Sequence, residues 1–282
     1  RAYVRSENSD FAAAITDLDR VIQLQPDEPG AYSERAHARH FSGDLQGAYQ
    51  DRSRQIELQP DQSTAYLGRS NDALWLGRFD DAVADVSRAA GLAQSDQDPK
   101  TLANADELLG LIKRWRAVSP GGSPGGRCTM QHGINQATPP TIIGDCTRVF
   151  LDAKEGPAKA NALTTRSVAW QVLANAQSSS TEDLRLALAF DPENIERRIN
   201  LGYSYIAARH SWAARREFDR ALATGNHWLA LSGRAAARMN LGDREGARAD
   251  ALASEKLHPN EAARRVLKEL GVANPAKAAG KK

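Results

Sequence analysis

The segment Ala31–Pro60, AYSERAHARHFSGDLQGAYQDRSRQIELQP, meets itself again when the chain is shifted forward by about 34 residues. Tyr32 falls on Tyr66, Arg35 on Arg69, Gly43 on Gly77, Ala48 on Ala82 and Asp51 on Asp85. Shifted back, Arg35 falls on Arg1, Asp51 on Asp17, Arg54 on Arg20 and Pro60 on Pro26. A fixed period of this length marks a stacked helical repeat and constrains the fold more than any other feature of the chain.

Each unit reads as a helix pair. Apolar and small residues recur at helical spacing from Glu28 to Phe41, and Gly43-Asp44 breaks the run. A second helix follows from Leu45 to Leu58, with Leu45, Ala48, Tyr49, Arg52 and Ile56 on one side, and Pro60 ends it. Ala36 (Ser70 and Ala2 at the matching places) and Ala48 (Ala82, Ala14) are small where two helices must approach closely. One pair cannot bury its apolar face alone, so neighbours stack. The expected fold is all-α, a solenoid of stacked antiparallel helix pairs in two blocks.

The N-terminal block is expected over 1–117, with Thr101–Ala117 as a capping helix that lacks the repeat signature. Residues 118–138 read as a linker and irregular segment, since Ser119–Gly126 (SPGGSPGG) suits neither helix nor strand. A C-terminal block follows over 139–271, its last helix, Asn260–Leu270, amphipathic and suited to cap an exposed end. Residues 272–282 form a small, basic tail expected to be disordered.

This pattern resembles the tetratricopeptide repeat family. The residues that carry the resemblance are Tyr32, Ala36, Gly43, Ala48 and Pro60, then Tyr66, Ser70, Gly77 and Ala82, and most fully Leu201, Gly202, Tyr205, Ala214, Phe218 and Ala221. It covers roughly two thirds of the chain. The resemblance implies protein or peptide binding and no catalysis. In a solenoid of that type the first helices line the concave face, which places Ser33, His37 and His40 on the open stripe, Leu67, Asn71 and Leu74 beside them, and Ile199, Asn200, Tyr203 and Ile206 in the second block. The lysines of the family's terminal-carboxylate clamp are absent from these stripes, which argues against that partner class.

Cys128 and Cys146 flank the unpatterned segment. The chain is similar to exported bacterial tetratricopeptide proteins, which implies a disulfide between them and a periplasmic or secreted setting. The competing reading is two buried thiols in a cytoplasmic protein. A metal site drawn from Cys128, His132 and Cys146, or from His37 and His40, lacks a convincing fourth ligand. Gly121–Gly126 lacks the Lys-Ser/Thr of a phosphate loop. No cofactor, metal or catalytic constellation is expected. Charge is nearly balanced at +2 and interspersed, which gives no electrostatic case for nucleic acid. No apolar run approaches the length that crosses a bilayer.

The functional expectation is therefore a non-catalytic scaffold that binds a peptide or protein segment in a groove. The rival is the repeat region of a larger enzyme, such as a glycosyltransferase or peptidase, because Arg1 falls inside what reads as a first helix. A self-assembling module is the third reading.

A charge pair also keeps the repeat's register. Arg1, Arg35 and Arg69 are each followed sixteen residues on by Asp17, Asp51 and Asp85; Arg234 precedes Asp250 by the same step, and Arg166 precedes Asp183 by one more. This predicts a partly buried ion pair within each unit. The unit with Leu201 breaks the pattern, keeping only the acid, Glu217.

Limited proteolysis should cut first within Ser119–Gly126 and leave two helical fragments, identified by mass spectrometry. Cuts clustering within Ser33–Leu92 would contradict the two-block organisation.

Overall fold

The computed structural model describes residues 11–116, 128, 139–154, 156–172 and 177–272. Among these every regular element is an α-helix. They are α1 (Phe11–Leu24), α2 (Pro29–Phe41), α3 (Leu45–Leu58), α4 (Ser63–Trp75), α5 (Phe79–Ser95), α6 (Pro99–Arg116) and α7 (Pro139–Asp152), then α8 (Gly156–Val172), α9 (Gln177–Phe190), α10 (Ile195–Ala207), α11 (Ser211–Leu222), α12 (Trp228–Asn240), α13 (Arg244–Leu257) and α14 (Glu261–Glu269). Consecutive helices pack on one another as pairs: α2 on α3, α4 on α5, α10 on α11 and α12 on α13.

Local chemistry sets the ends of these helices. Pro29 opens α2, where Glu28 accepts from the Gly30 amide. Asp44 and Asp243 cap α3 and α13 by accepting from the amides of Gly47 and Gly246. Between the two helices of a pair the chain turns through one left-handed residue: Gly43 at φ 87°, Gly77 at 73° and Gly242 at 83°. Glycine takes this conformation without a Cβ clash. In the remaining pair the position is held by Arg209 at φ 61°.

The small residues lie where the helices of a pair meet. Ala36, Ala48, Ala82, Ala214, Ala235 and Ala247 are fully buried, and Ser70 uses its hydroxyl on the Ala82 carbonyl at 2.8 Å. Tyr32 and Tyr66 donate to the carbonyls of Pro26 and Pro60, each at 3.0 Å, tying a first helix to the loop before it.

The charge pair is present in all three regular units that can be inspected. Arg35 holds Asp51 through two bonds of 2.9 and 2.6 Å, Arg69 holds Asp85 at 2.7 and 2.6 Å, and Arg234 holds Asp250 at 2.8 and 2.7 Å. Each aspartate is buried, and the hydrogen bonds keep the paired guanidinium more basic than usual despite partial burial. Arg39 and Arg238 add a further bond of 2.9 Å to Asp51 and Asp250. The third arm of Arg35 reaches back to Asp19 on α1 at 2.6 Å, and that of Arg234 to Asp219 on α11 at 2.9 Å. Arg69 finds Ser53 instead, at 3.3 Å. Arg1 lies outside the described residues.

The exceptional unit solves the same problem differently. Phe218 packs with Leu201 and Tyr205, and its ring fills the space where a Cβ on Gly202 or Gly233 would stand. Glu217, buried, is held by Arg198 and Arg220, each at 3.2 Å, with Arg216 at 3.6 Å.

Packing divides the chain into two compact units, Arg1–Ala169 and Trp170–Lys282. The division falls within α8, whereas the sequence pattern suggested 118–138. In the first unit Trp75 meets Phe150 edge-on at 5.4 Å, and the Arg166 guanidinium lies 4.8 Å over Trp75. Arg166 has no exposed surface and donates to Thr147 Oγ1 at 2.8 Å. Cys128 is disulfide-bonded to Cys146, with Cα atoms 4.9 Å apart. Ser119–Gly126, Thr129–Thr138 and the tail beyond Val272 lie outside the described residues.

In denaturant unfolding, Asp51→Ala should cost about 2–4 kcal/mol, since it removes the buried partner of two guanidinium groups and leaves them only the more exposed Asp19 and Asp44. Arg35→Leu should cost less because Arg39 still serves Asp51, and the double variant should cost less than the sum. Additive losses of a few tenths of a kcal/mol would show two independent surface charges. Protein isolated without reductant from its native compartment should resist thiol alkylation until it is reduced, as read by intact mass.

Candidate peptide-binding face

The first helices of successive pairs bring their outward stripes together. In the first unit the stripe of α2 carries Ser33 and His37, and that of α4 carries Leu67 and Asn71. His37 is exposed; Ser33, Leu67 and Asn71 are half-buried. The His37 ring meets the edge of Phe41 at 4.9 Å, and Phe41 stacks on Phe11 of α1 at 5.9 Å. These rings make an aromatic shelf at the end of α2.

Three expected members of the face are not on it. His40 is buried: its Nδ1 pairs with Asp72 Oδ1 at 2.7 Å, and its ring lies edge-on between Phe41 and Trp75. Leu74 is fully buried, and Ile199 belongs to the core cluster around Phe218. His40 is covered by Asp72 and Trp75 of the next first helix, and Ile199 by side chains of α9, α11 and α12. In the second unit Asn200, Tyr203 and Ile206 are half-buried. The Tyr203 hydroxyl donates to the Leu229 carbonyl at 3.0 Å and lies 3.1 Å from Ser232 Oγ. Burial raises its pKa.

Beside Ser33 lies a residue that periodicity placed on the packed side of the second helix and not on the face. Arg52 extends from α3 between the two first helices and donates to Ser33 Oγ at 2.8 Å and Gln55 Oε1 at 3.2 Å. Burial lowers its pKa, opposed by the charges of Asp72, Glu34 and Asp51. Gly68 makes room for it: a Cβ there would stand 2.6 Å from Arg52 Nε and 2.9 Å from Cζ. The sequence signal was present, since Arg52 occupies the place that Phe218 fills in the best-matched unit.

Cys128 and Cys146 are bonded to each other and so offer no thiolate to a metal; His132 lies outside the described residues. Among the described residues no three His, Cys, Asp or Glu side chains converge as a metal site.

The helix pairs recur at the sequence period, cross at small residues and turn on a left-handed position. They are tetratricopeptide repeats in fold. No family model matches the sequence, and no curated protein matches it. Solved structures of similar fold include a tetratricopeptide repeat protein from Parabacteroides merdae, at 12% identity over 96% of each chain with a TM-score of 0.39. YrrB, a TPR protein with an unusual peptide-binding site, is 12% identical over 89% of this chain and 97% of its own, with a TM-score of 0.36. A chain of the APC/C hetero-tetramer Cut9-Hcn1 is 13% identical over 95% of this chain, with a TM-score of 0.37, and this chain spans 48% of its length.

Gly68→Ala should destabilise the tetratricopeptide array by about 1–2 kcal/mol, because the added methyl displaces Arg52 from Ser33. In an Arg52→Met background the same change should cost markedly less, a difference read by denaturant unfolding of the four variants.

Proposed function

We propose that this chain is a non-catalytic interaction scaffold, and that the first-helix face of its first unit receives an extended or helical segment of a partner protein. The observation that supports the reading is the exposed His37 against the half-buried rings of Phe41 and Phe11, on a helix that also carries the half-buried Ser33. Aromatic surface of this kind takes an apolar side chain, while the Asn71 amide and Ser33 hydroxyl can bond the backbone of an extended segment. Arg52 holds Ser33 from α3. In the second unit Asn200, Tyr203 and Ile206 form the corresponding strip, with Tyr203 spent largely on holding α10 to α12. His40, Leu74 and Ile199 act through packing.

The disulfide supports placing the working protein in an oxidising compartment. Among the described residues no helix is long and apolar enough to cross a membrane.

The test is selection from a random displayed-peptide library by the intact chain. Selected peptides should bind roughly tenfold more weakly to a His37→Ala, Asn71→Ala variant, as expected for loss of central contacts. If the peptides bind that variant and the parent equally, the face is not the site.

A further inference from the structure

The repeat supplies its own internal control. Positions that the fold alone determines recur from unit to unit, so a coordinated departure in one unit calls for another cause. Such a departure occurs where α10 turns into α11. The left-handed glycine of the other pairs (Gly43, Gly77, Gly242) is Arg209. The capping aspartates Asp44 and Asp243 correspond to His210, whose side chain makes no cap bond, as is also the case for Arg78 at the start of α5. Two residues on, where other units carry Gln46, Asp80 and Glu245, stands Trp212. The first of these changes is peculiar to this unit and acts against local stability, since a side chain at positive φ is strained.

Trp212 is 68% exposed, the most exposed large apolar side chain among the described residues. The Arg215 guanidinium lies 5.4 Å from its ring centroid. Arg216, one turn from Trp212, and Arg220 follow on the same helix. The helix's own acids do not balance this charge outward. Glu217 is buried among Arg198, Arg216 and Arg220, and Asp219 lies 3.6 Å from Arg215 while also binding Arg234 of the next helix. An exposed indole therefore sits within a surplus of guanidinium groups, on a second helix and away from the first-helix face.

We propose that Arg209, His210, Trp212, Arg215 and Arg216 form a second docking surface, whose occupant is an acidic segment of a partner protein that lays an apolar side chain on Trp212. Charge complementarity selects the acids: guanidinium forks bind carboxylates through paired hydrogen bonds. The indole supplies the large anchor on which such interfaces concentrate their energy. The other units show that polar residues satisfy the fold at the Trp212 position, so the tryptophan has no structural task that Gln46 does not perform.

The experiment is fluorescence anisotropy of the full chain with a fluorescein-labelled synthetic peptide of glutamates interrupted by leucines. Binding should saturate, weaken with added salt and shift the tryptophan emission. Trp212→Gln and Arg215→Gln should each weaken it roughly tenfold, with circular dichroism unchanged. His37→Ala, which tests the first-helix face, should leave it unaffected. The proposal is overturned if no saturable binding occurs, if Trp212→Gln binds like the parent, or if a glutamine-for-glutamate peptide binds equally well. It is also overturned if phosphatidylserine vesicles or oligo-dT bind through Trp212 where the acidic peptide does not.

Discussion

A buried aspartate held by two arms of an arginine is the contact on which each regular unit depends. Asp51, Asp85 and Asp250 sit between the helices of their pairs, where an uncompensated carboxylate would favour opening the pair. The planar fork accepts only a narrow range of approach, so it sets how the helices cross as well as holding them. Alanine and serine at the crossing let the backbones come close enough for the fork to close. Apolar burial is modest in a chain with few aromatics, and the polar pair supplies the directionality that apolar contact lacks.

Much of this was legible in the sequence. The period placed the helix pairs, and the constant step from arginine to aspartate placed the ion pair before any coordinates. Legibility failed where burial depends on a neighbouring unit. His40 and Ile199 share helical register with less buried residues, yet neighbouring pairs cover them, and periodicity along one helix carries no information about that cover. His40 in addition meets Asp72, a partner more than thirty residues away. Arg52 was passed over because its register marks it as core; only the hydrogen-terminated Gly68 opposite lets a guanidinium occupy a position that elsewhere holds a phenyl ring. The contact of Trp75 with Phe150 and Arg166 likewise joins residues that no repeat signature connects.

The two candidate surfaces differ in how their residues relate to the repeat. On the first-helix face His37 is exposed and Ser33, Leu67 and Asn71 are half-buried, whereas Ile199 and Ser232, at the place of Ser33 in later pairs, are buried. At the start of α11 a departure from the pattern opposes local preference. A left-handed arginine persists beside an exposed indole.

The outer arm of the fork has a consequence for how the array comes apart. Where units touch only their neighbours, stability is a sum of unit terms and joint terms. Arg35 and Arg234 each grip an aspartate of the preceding helix, so fraying at those joints exposes a charge mismatch and is resisted. At the joint between α3 and α4 the grip falls on the neutral hydroxyl of Ser53 across 3.3 Å. That seam runs beside Arg52 and Gly68, so a segment bound there would act as a clasp across the one of these three joints whose outer arm meets no charge.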